Sequence, residues 1–334
     1  MTAVITPSSG MAHGRLMAVA AYRPARIVTN EEMCQRIDST DEWIRDRSGI
    51  VERRYAAPDE SVADMATTAA TEAIARAGID PADVGMVMLA TVTHPYQTPS
   101  AAAEVAFRIG ATTAAAMDIA AACAGFSYGV EIANSLVRCG SARYVVLVGV
   151  EKLSDWIDPN DRSTAFLFAD GAGAVVIGPS DVPAIGPVVW GSDGGQLDAI
   201  TMTQSLIDYK LNGGTVFPSL EMKGQQVFRW AVGDVARVAE RALAAAGVSA
   251  EDLDAFIPHQ ANMRITDAMV RSLKLPDHVP VARDIAYTGN TSAASIPLAM
   301  QAMLDAGEIP HGGTALIIGF GAGLVFSAQV VTLP

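Results

Sequence analysis

Cys123 stands in DIAAACAGF, with small side chains before the sulfur and a glycine soon after it, where a strand-like run gives way to a helix-like one. A helix start offers free N–H groups and the positive end of the helix dipole, which favour a thiolate and predict a lowered thiol pKa. Such a cysteine is a nucleophile suited to a thioester. A buried free cysteine is also an ordinary small core residue, so position alone carries the functional reading. His259 follows an apolar strand in AFIPHQANMR, where the strand ends of α/β proteins carry their sites. Without partners, a lone histidine is more often a structural or surface group, and the duplication that relates Cys123 to Asn290 reverses that reading. Asn290, in YTGNTSAASIP, is a natural helix N-cap whose NH2 can also be aimed at a ligand.

Other chemistries find little support. GFGAG at 319–323 and FADGAGAVVIG at 168–178 read as tight turns running from strand to strand, whereas a dinucleotide fingerprint needs a helix after its glycines. A backbone N–H in the first of these turns, that of Ala322, is placed to meet a developing oxyanion. The five histidines are scattered without ligand spacing, so no metal is expected.

The elements that position these residues come from a duplication. ATEAIARAGIDPADVGMVMLA (70–90) and AERALAAAGVSAEDLDAFIPH (239–259) share a helix, an Ala-Gly stop, an acidic turn and a strand, 169 residues apart. The segments 123–140 and 290–307 are offset by 167, which makes Cys123 and Asn290 equivalent, and Gly149 and Gly319 close matching strands 170 apart. Runs such as VVLVG and ALIIG suit strands covered on both faces, hence an α/β fold. The Gly- and Pro-rich stretch 178–195 marks the handover, which divides the chain into residues 1–180 carrying the cysteine and 181–334 carrying His259 and Asn290.

Bulk properties agree. Half the residues are hydrophobic and 18% charged, enough to bury a large core. A net charge of −13 disfavours nucleic acid and anionic membranes. Three cysteines make no disulfide framework, no apolar run reaches the ~18 residues of a membrane span, and MTAVITPSSGMAHGR lacks an export pattern, so a cytoplasmic protein is expected.

DSTDEWIRDRSGI, AAACAGF, DRSTAFLFADGAGAVV, PHQANMRI, GNTSAASIP and GFGAG, in this order over nearly the whole chain, resemble the beta-ketoacyl-ACP synthase III family of thiolase-like condensing enzymes. The resemblance implies a homodimer of thiolase fold, two pseudo-symmetric halves packed as a five-layered αβαβα sandwich. It implies that Cys123 takes an acyl group from acyl-CoA, with oxyanion donors from the N–H groups of Cys123 and Ala322. His259 and Asn290 then stabilise the enolate formed when malonyl-ACP (acyl carrier protein) loses carbon dioxide, and no cofactor is needed. Carried over by motif, the CoA contacts fall on Trp43, Arg47, Arg162 and Asn262. An indole stacks on adenine, guanidinium groups suit phosphates, and an amide holds the pantetheine arm. Trp43 could equally anchor a core or interface, and the arginines could form ordinary surface pairs.

Because such carriers are acidic, Arg229, Arg264, Arg271 and Lys274 are the candidate docking cations, with Arg264 and Arg271 on one helical face. Thr98 stands where some relatives carry a Phe at the floor of the acyl pocket, contributed across the dimer. Its smaller side chain implies tolerance of branched starters, and Leu324 is a second candidate lining residue. A polyketide starter synthase or acyltransferase of the same fold is the nearest rival; a non-catalytic dimer partner and a dinucleotide oxidoreductase are more distant ones.

Overall fold

The computed structural model describes residue 5 and residues 8–334. Its first sheet runs, in spatial order, Ala115–Ile119, Val84–Ala90, Tyr144–Lys152, Asp170–Ser180 and His13–Tyr22. The first three strands are parallel and the last two join antiparallel. The second sheet repeats the pattern with Ala255–Pro258, Thr314–Gly321, Val325–Thr332 and Val189–Ser192. A parallel bridge from Phe256 to Val281 stands where the first sheet has its edge strand. The chain passes from the first sheet to the second between Ser180 and Val189.

Apolar periodicity decides the layers. The Ala-rich helix Val62–Ala77 and the helix Ala101–Arg108 bury their small side chains on the outer face of the first sheet. Ala236–Ala246 and Met263–Leu273 do the same on the second. Between the sheets lie Gly125–Arg138 and Ser295–Asp305, which share one core with both inner faces through Phe126, Val130, Ile296 and Met300. Helices buried between two sheets need apolar residues over most of their circumference. The result is the five-layered αβαβα sandwich of the thiolase fold.

Two of the repeat anchors hold in space. Val62–Ala77 and Ala236–Ala246 end on left-handed glycines, Gly78 and Gly247, with φ of 65° and 68°. Gly149 and Gly319 each admit the other half: a Cβ on Gly149 would lie 2.2 Å from Ala293 O, and one on Gly319 would lie 2.9 Å from Ala124 Cα. No side chain fits at either point, so glycine is what lets the halves close on each other.

The expected equivalence of Cys123 and Asn290 does not hold. Gly125–Arg138 has 14 residues and Ser295–Asp305 has 11, so the closing glycines 140 and 307 stand 167 apart but the helix starts stand 170 apart. The missing residues amount to about one helical turn, and aligning on the closing glycines slips the starts by that amount. The 3₁₀ turns Ala122–Ala124 and Ser292–Ala294 are the true counterparts, with left-handed φ of 43° at Ala122 and 50° at Ser292. Cys123 therefore matches Ala293, and Asn290 precedes its turn.

GFGAG does form the turn between Thr314–Gly321 and Val325–Thr332. FADGAGAVVIG does not turn, because Asp170–Ser180 is one continuous strand. A Cβ on Gly173 would lie 2.7 Å from the ring of Pro297, so this glycine serves helix packing rather than chain reversal.

Candidate active site

A cavity of about 560 Å³ opens between the halves and is lined by Cys123, His259 and Asn290 together with Gly321 and Ala322. Cys123 sits on the turn between Ala115–Ile119 and Gly125–Arg138. A Cβ on Gly321 would lie 3.0 Å from its sulfur and 3.1 Å from its backbone nitrogen. The end of Thr314–Gly321 therefore passes against the thiol, and the next residue, Ala322, reaches the same space. The thiol is not the lowered one expected at a helix start. Burial pushes it up to about 12, a hydrogen bond from Ser292 opposes the rise, and the charge of Glu151 adds to it. Desolvation of a thiolate outweighs the helix dipole here.

His259 follows Ala255–Pro258, and its backbone N–H donates to Ile318 O at 2.7 Å. Its ring packs edge-on to Phe320, with centroids 5.2 Å apart. Burial drives its pKa down to about 3, so the imidazole is neutral at physiological pH. Nδ1 lies 2.7 Å from Ser295 Oγ, which also accepts the N–H of Gln260 at 3.2 Å. That leaves the serine O–H to donate to Nδ1 and the ring proton on Nε2.

Asn290 is held by its backbone, donating to Leu167 O and accepting from Ala169 N, each at 2.9 Å. Its Oδ1 accepts from Ser292 N at 2.9 Å, which is the capping role expected. Its Nδ2 makes only a long 3.4 Å contact with Ala261 O, which leaves an amide hydrogen available to a ligand.

Trp43, Arg47 and Arg162 converge at the mouth. Asp41–Ser48 is capped by the Thr40 side chain and stopped by left-handed Gly49, and it presents Trp43 edge-on to Phe166 with centroids 5.3 Å apart. Arg162 lies 4.6 Å and Arg47 5.7 Å from the indole centroid. An aromatic plate flanked by two exposed cations is chemically suited to a nucleotide with phosphates. Asn262 also lines the cavity, but its amide is engaged: Nδ2 donates to Arg47 O and Oδ1 caps the helix through Arg264 N, both at 2.9 Å.

Arg229 and Arg264 line the cavity and are exposed, with Arg264 5.7 Å from the Phe228 ring centroid. Arg271 and Lys274 lie further along the same helix and at its cap, exposed and outside the lining. The two acyl-pocket candidates differ in placement. Thr98 is exposed on the loop after Val84–Ala90 and does not line its own chain's cavity. Leu324 is fully buried in the core of the second half, paired through its backbone with Asp193, because the hairpin after Gly321 turns it inward.

Sequence reasoning missed Glu151, Ser292, Ser295 and Phe320. A signal existed for Glu151, a charge closing the apolar run VVLVGVEK. Ser292 and Ser295 lie inside the motif read only for Asn290, and nothing in it separates a capping serine from one aimed at an imidazole.

Family models describe residues 117–194 as 3-oxoacyl-[acyl-carrier-protein] synthase III and residues 243–333 as its C-terminal part. The chain is 55% identical over 340 residues to beta-ketoacyl-[acyl-carrier-protein] synthase III 1 of Streptomyces coelicolor, covering 99% of both chains. It is 56% identical over 330 residues to the synthase III of Streptomyces glaucescens, again covering 99% of each. Among solved structures, the priming beta-ketosynthase of the R1128 polyketide biosynthetic pathway superposes with a TM-score of 0.96 at 46% identity, covering 100% of this chain and 99% of that one. The 3-oxoacyl-(acyl carrier protein) synthase III of Pseudomonas aeruginosa PAO1 gives 0.90 at 38%, covering 96% and 98%. With a thiol, an imidazole and a carboxamide on one cavity between the halves, and relatives this similar along the whole chain, this protein belongs to the beta-ketoacyl-[acyl-carrier-protein] synthase III family of condensing acyltransferases.

Proposed function

We propose that the protein joins an acyl group from acyl-CoA to malonyl-ACP by decarboxylative Claisen condensation, giving 3-oxoacyl-ACP and starting type II fatty acid synthesis. The observation that carries this is the shared cavity: Cys123 comes from one half, His259 and Asn290 from the other, and all three face one space. Cys123 attacks the thioester, the N–H groups of Cys123 and Ala322 receive the developing oxyanion, and the CoA thiol departs with a proton. In the second half-reaction, Nε2–H of His259 and Nδ2–H of Asn290 donate to the malonyl thioester oxygen. Carbon dioxide leaves, the carbanion attacks acyl-Cys123, and the sulfur departs. A neutral imidazole suits this role, because a donor that is never charged needs no buried counter-ion.

The indole and guanidinium groups of Trp43, Arg47 and Arg162 are assigned to the nucleotide end of CoA, and Asn262 to the wall of the channel. Arg229, Arg264, Arg271 and Lys274 offer cations to an acidic carrier on a chain that is otherwise acidic. A homodimer across the first sheet is supported by its open edge strand Ala115–Ile119 and by exposed Tyr96 and Phe107 nearby. Thr98 on that side would then reach the partner's acyl pocket. No helix among the described residues is long and apolar enough to cross a membrane, and we assign the enzyme to the cytoplasm.

The priming beta-ketosynthase similarity favours a second reading, a polyketide starter-unit ketosynthase. Mass spectrometry of the acyl-enzyme after exposure to a panel of acyl-CoAs, followed by malonyl-carrier, tests both. Cys123→Ser should form no acyl-enzyme, while His259→Ala and Asn290→Ala should acylate without condensing. Normal condensation by those two variants would refute the roles given. Acceptance of isobutyryl-CoA alongside acetyl-CoA supports the open pocket at Thr98, and strict acetyl preference refutes it.

A further inference from the structure

Glu151 is fully buried at the end of Tyr144–Lys152, and among the described residues no basic side chain pairs with it. Its carboxylate accepts from Val92 N at 3.1 Å, Thr91 Oγ1 at 3.1 Å, Thr93 Oγ1 at 2.7 Å and Ser292 Oγ at 3.1 Å. The neighbouring Lys152 turns its amine away, to the carbonyls of Ala57 and Pro58 and to Asp155. Asp170, beside Lys152 on the next strand, is occupied by Ser154 and the N–H of Ala56. The titratable group that Glu151 does face is Cys123, through Ser292. A buried carboxylate without a cation is costly to keep, and Ser292, which bridges the two, holds a left-handed φ of 50° that a serine rarely adopts.

We propose that Glu151 is the proton acceptor for Cys123, acting through the Ser292 hydroxyl as a positioning residue that never touches substrate. The inference rests on Cys123 being the nucleophile assigned above. In the resting site the Ser292 O–H donates to Glu151 Oε1, and Ser292 and the Cys123 thiol line the same cavity. On activation the S–H bond breaks as an Oγ–H bond forms, and the original Oγ–H bond breaks as an Oε1–H bond forms. A thiolate and a carboxylic acid replace a thiol and a carboxylate. The charge of the pocket stays at one negative unit, so the nucleophile forms without burying a second anion. The proton held on Glu151 leaves with the departing CoA thiol, and when condensation later expels the sulfur as thiolate, a proton taken up from solvent restores the thiol. Burial raises the carboxyl to about 7 and pushes His259 down to about 3, so of the two buried groups the carboxylate is the better proton acceptor.

The pH profile of Cys123 alkylation by iodoacetamide tests this without depending on which thioester the enzyme takes. Wild type should show two rises, a first near neutral pH from the exchanged form and a second at alkaline pH, because the pair titrates as a unit. Glu151→Gln should lose the neutral limb, with alkylation at neutral pH falling about tenfold or more. Were Glu151 only a nearby negative charge, its removal would instead raise thiolate and speed alkylation, so a faster or unchanged rate overturns the proposal. Ser292→Gly keeps the backbone comfortable at positive φ but cuts the path, and it should lose the same limb, with the double variant no slower than either single one. If Glu151→Gln does not fold, Ser292→Gly decides alone, and a wild-type profile in it overturns the proposal. Absence of Cys123 alkylation in wild type would instead overturn the assignment of Cys123 as nucleophile.

Discussion

Ser295 Oγ stands 2.7 Å from His259 Nδ1 and accepts the N–H of Gln260, tying the imidazole to the first turn of the helix between the sheets. The serine sets which nitrogen carries the proton, and so whether the ring offers the cavity a donor or an acceptor. Ser295→Ala should acylate Cys123 at the wild-type rate and lose about tenfold to a hundredfold in condensation. Single-turnover acylation and malonyl decarboxylation, measured separately, check this; equal loss in both steps would contradict it.

Removing the plate at the mouth should affect only substrates that carry a nucleotide. Trp43→Ala and Arg162→Ala should raise KM for an acyl-CoA by about tenfold, in line with the loss of about 1–2 kcal/mol of stacking or charge pairing. Acylation from an N-acetylcysteamine thioester, which lacks the nucleotide, should change little.

The two interlocking glycines should differ in tolerance. An added methyl at Gly149 meets the carbonyl of Ala293 at 2.2 Å, and at Gly319 it meets Ala124 Cα at 2.9 Å. Neither obstacle is a flexible side-chain end, so backbone must shift. Gly149→Ala should cost more than about 3 kcal/mol and yield little folded protein, and Gly319→Ala should cost less. Denaturant midpoints give the order.

His259 ties stability to acid. Its folded pKa is pushed down to about 3 from an ordinary 6.5 by burial. Below the ordinary value the unfolded chain binds a proton that the folded chain refuses, so this contribution to stability is lost as pH falls through about 6.5 toward 3. Near pH 5 the loss should reach about 1–2 kcal/mol. The fall in melting temperature from pH 7 to pH 5 should therefore be smaller in His259→Gln than in wild type, and an equal fall would show that other groups dominate.

Much of this protein was determined by its sequence alone. Strand hydrophobicity, the Ala-rich helices closed by Gly78 and Gly247, and an offset near 170 residues state a doubled α/β fold, since burial on both faces leaves continuous apolar runs. Residue type and motif singled out Cys123, His259 and Asn290, and the fold sets all three on one cavity. Which residues matched across the halves was not, because one helix is a turn shorter and that gap lies between two well-aligned ends. Leu324 was misplaced because the turn after Gly321 determines which way it faces. The thiol pKa was misjudged for a deeper reason: a helix dipole follows from local sequence, whereas desolvation and the field of Glu151 depend on atoms brought from distant parts of the chain. Only the closed sandwich set Ser292 between that carboxylate and the sulfur.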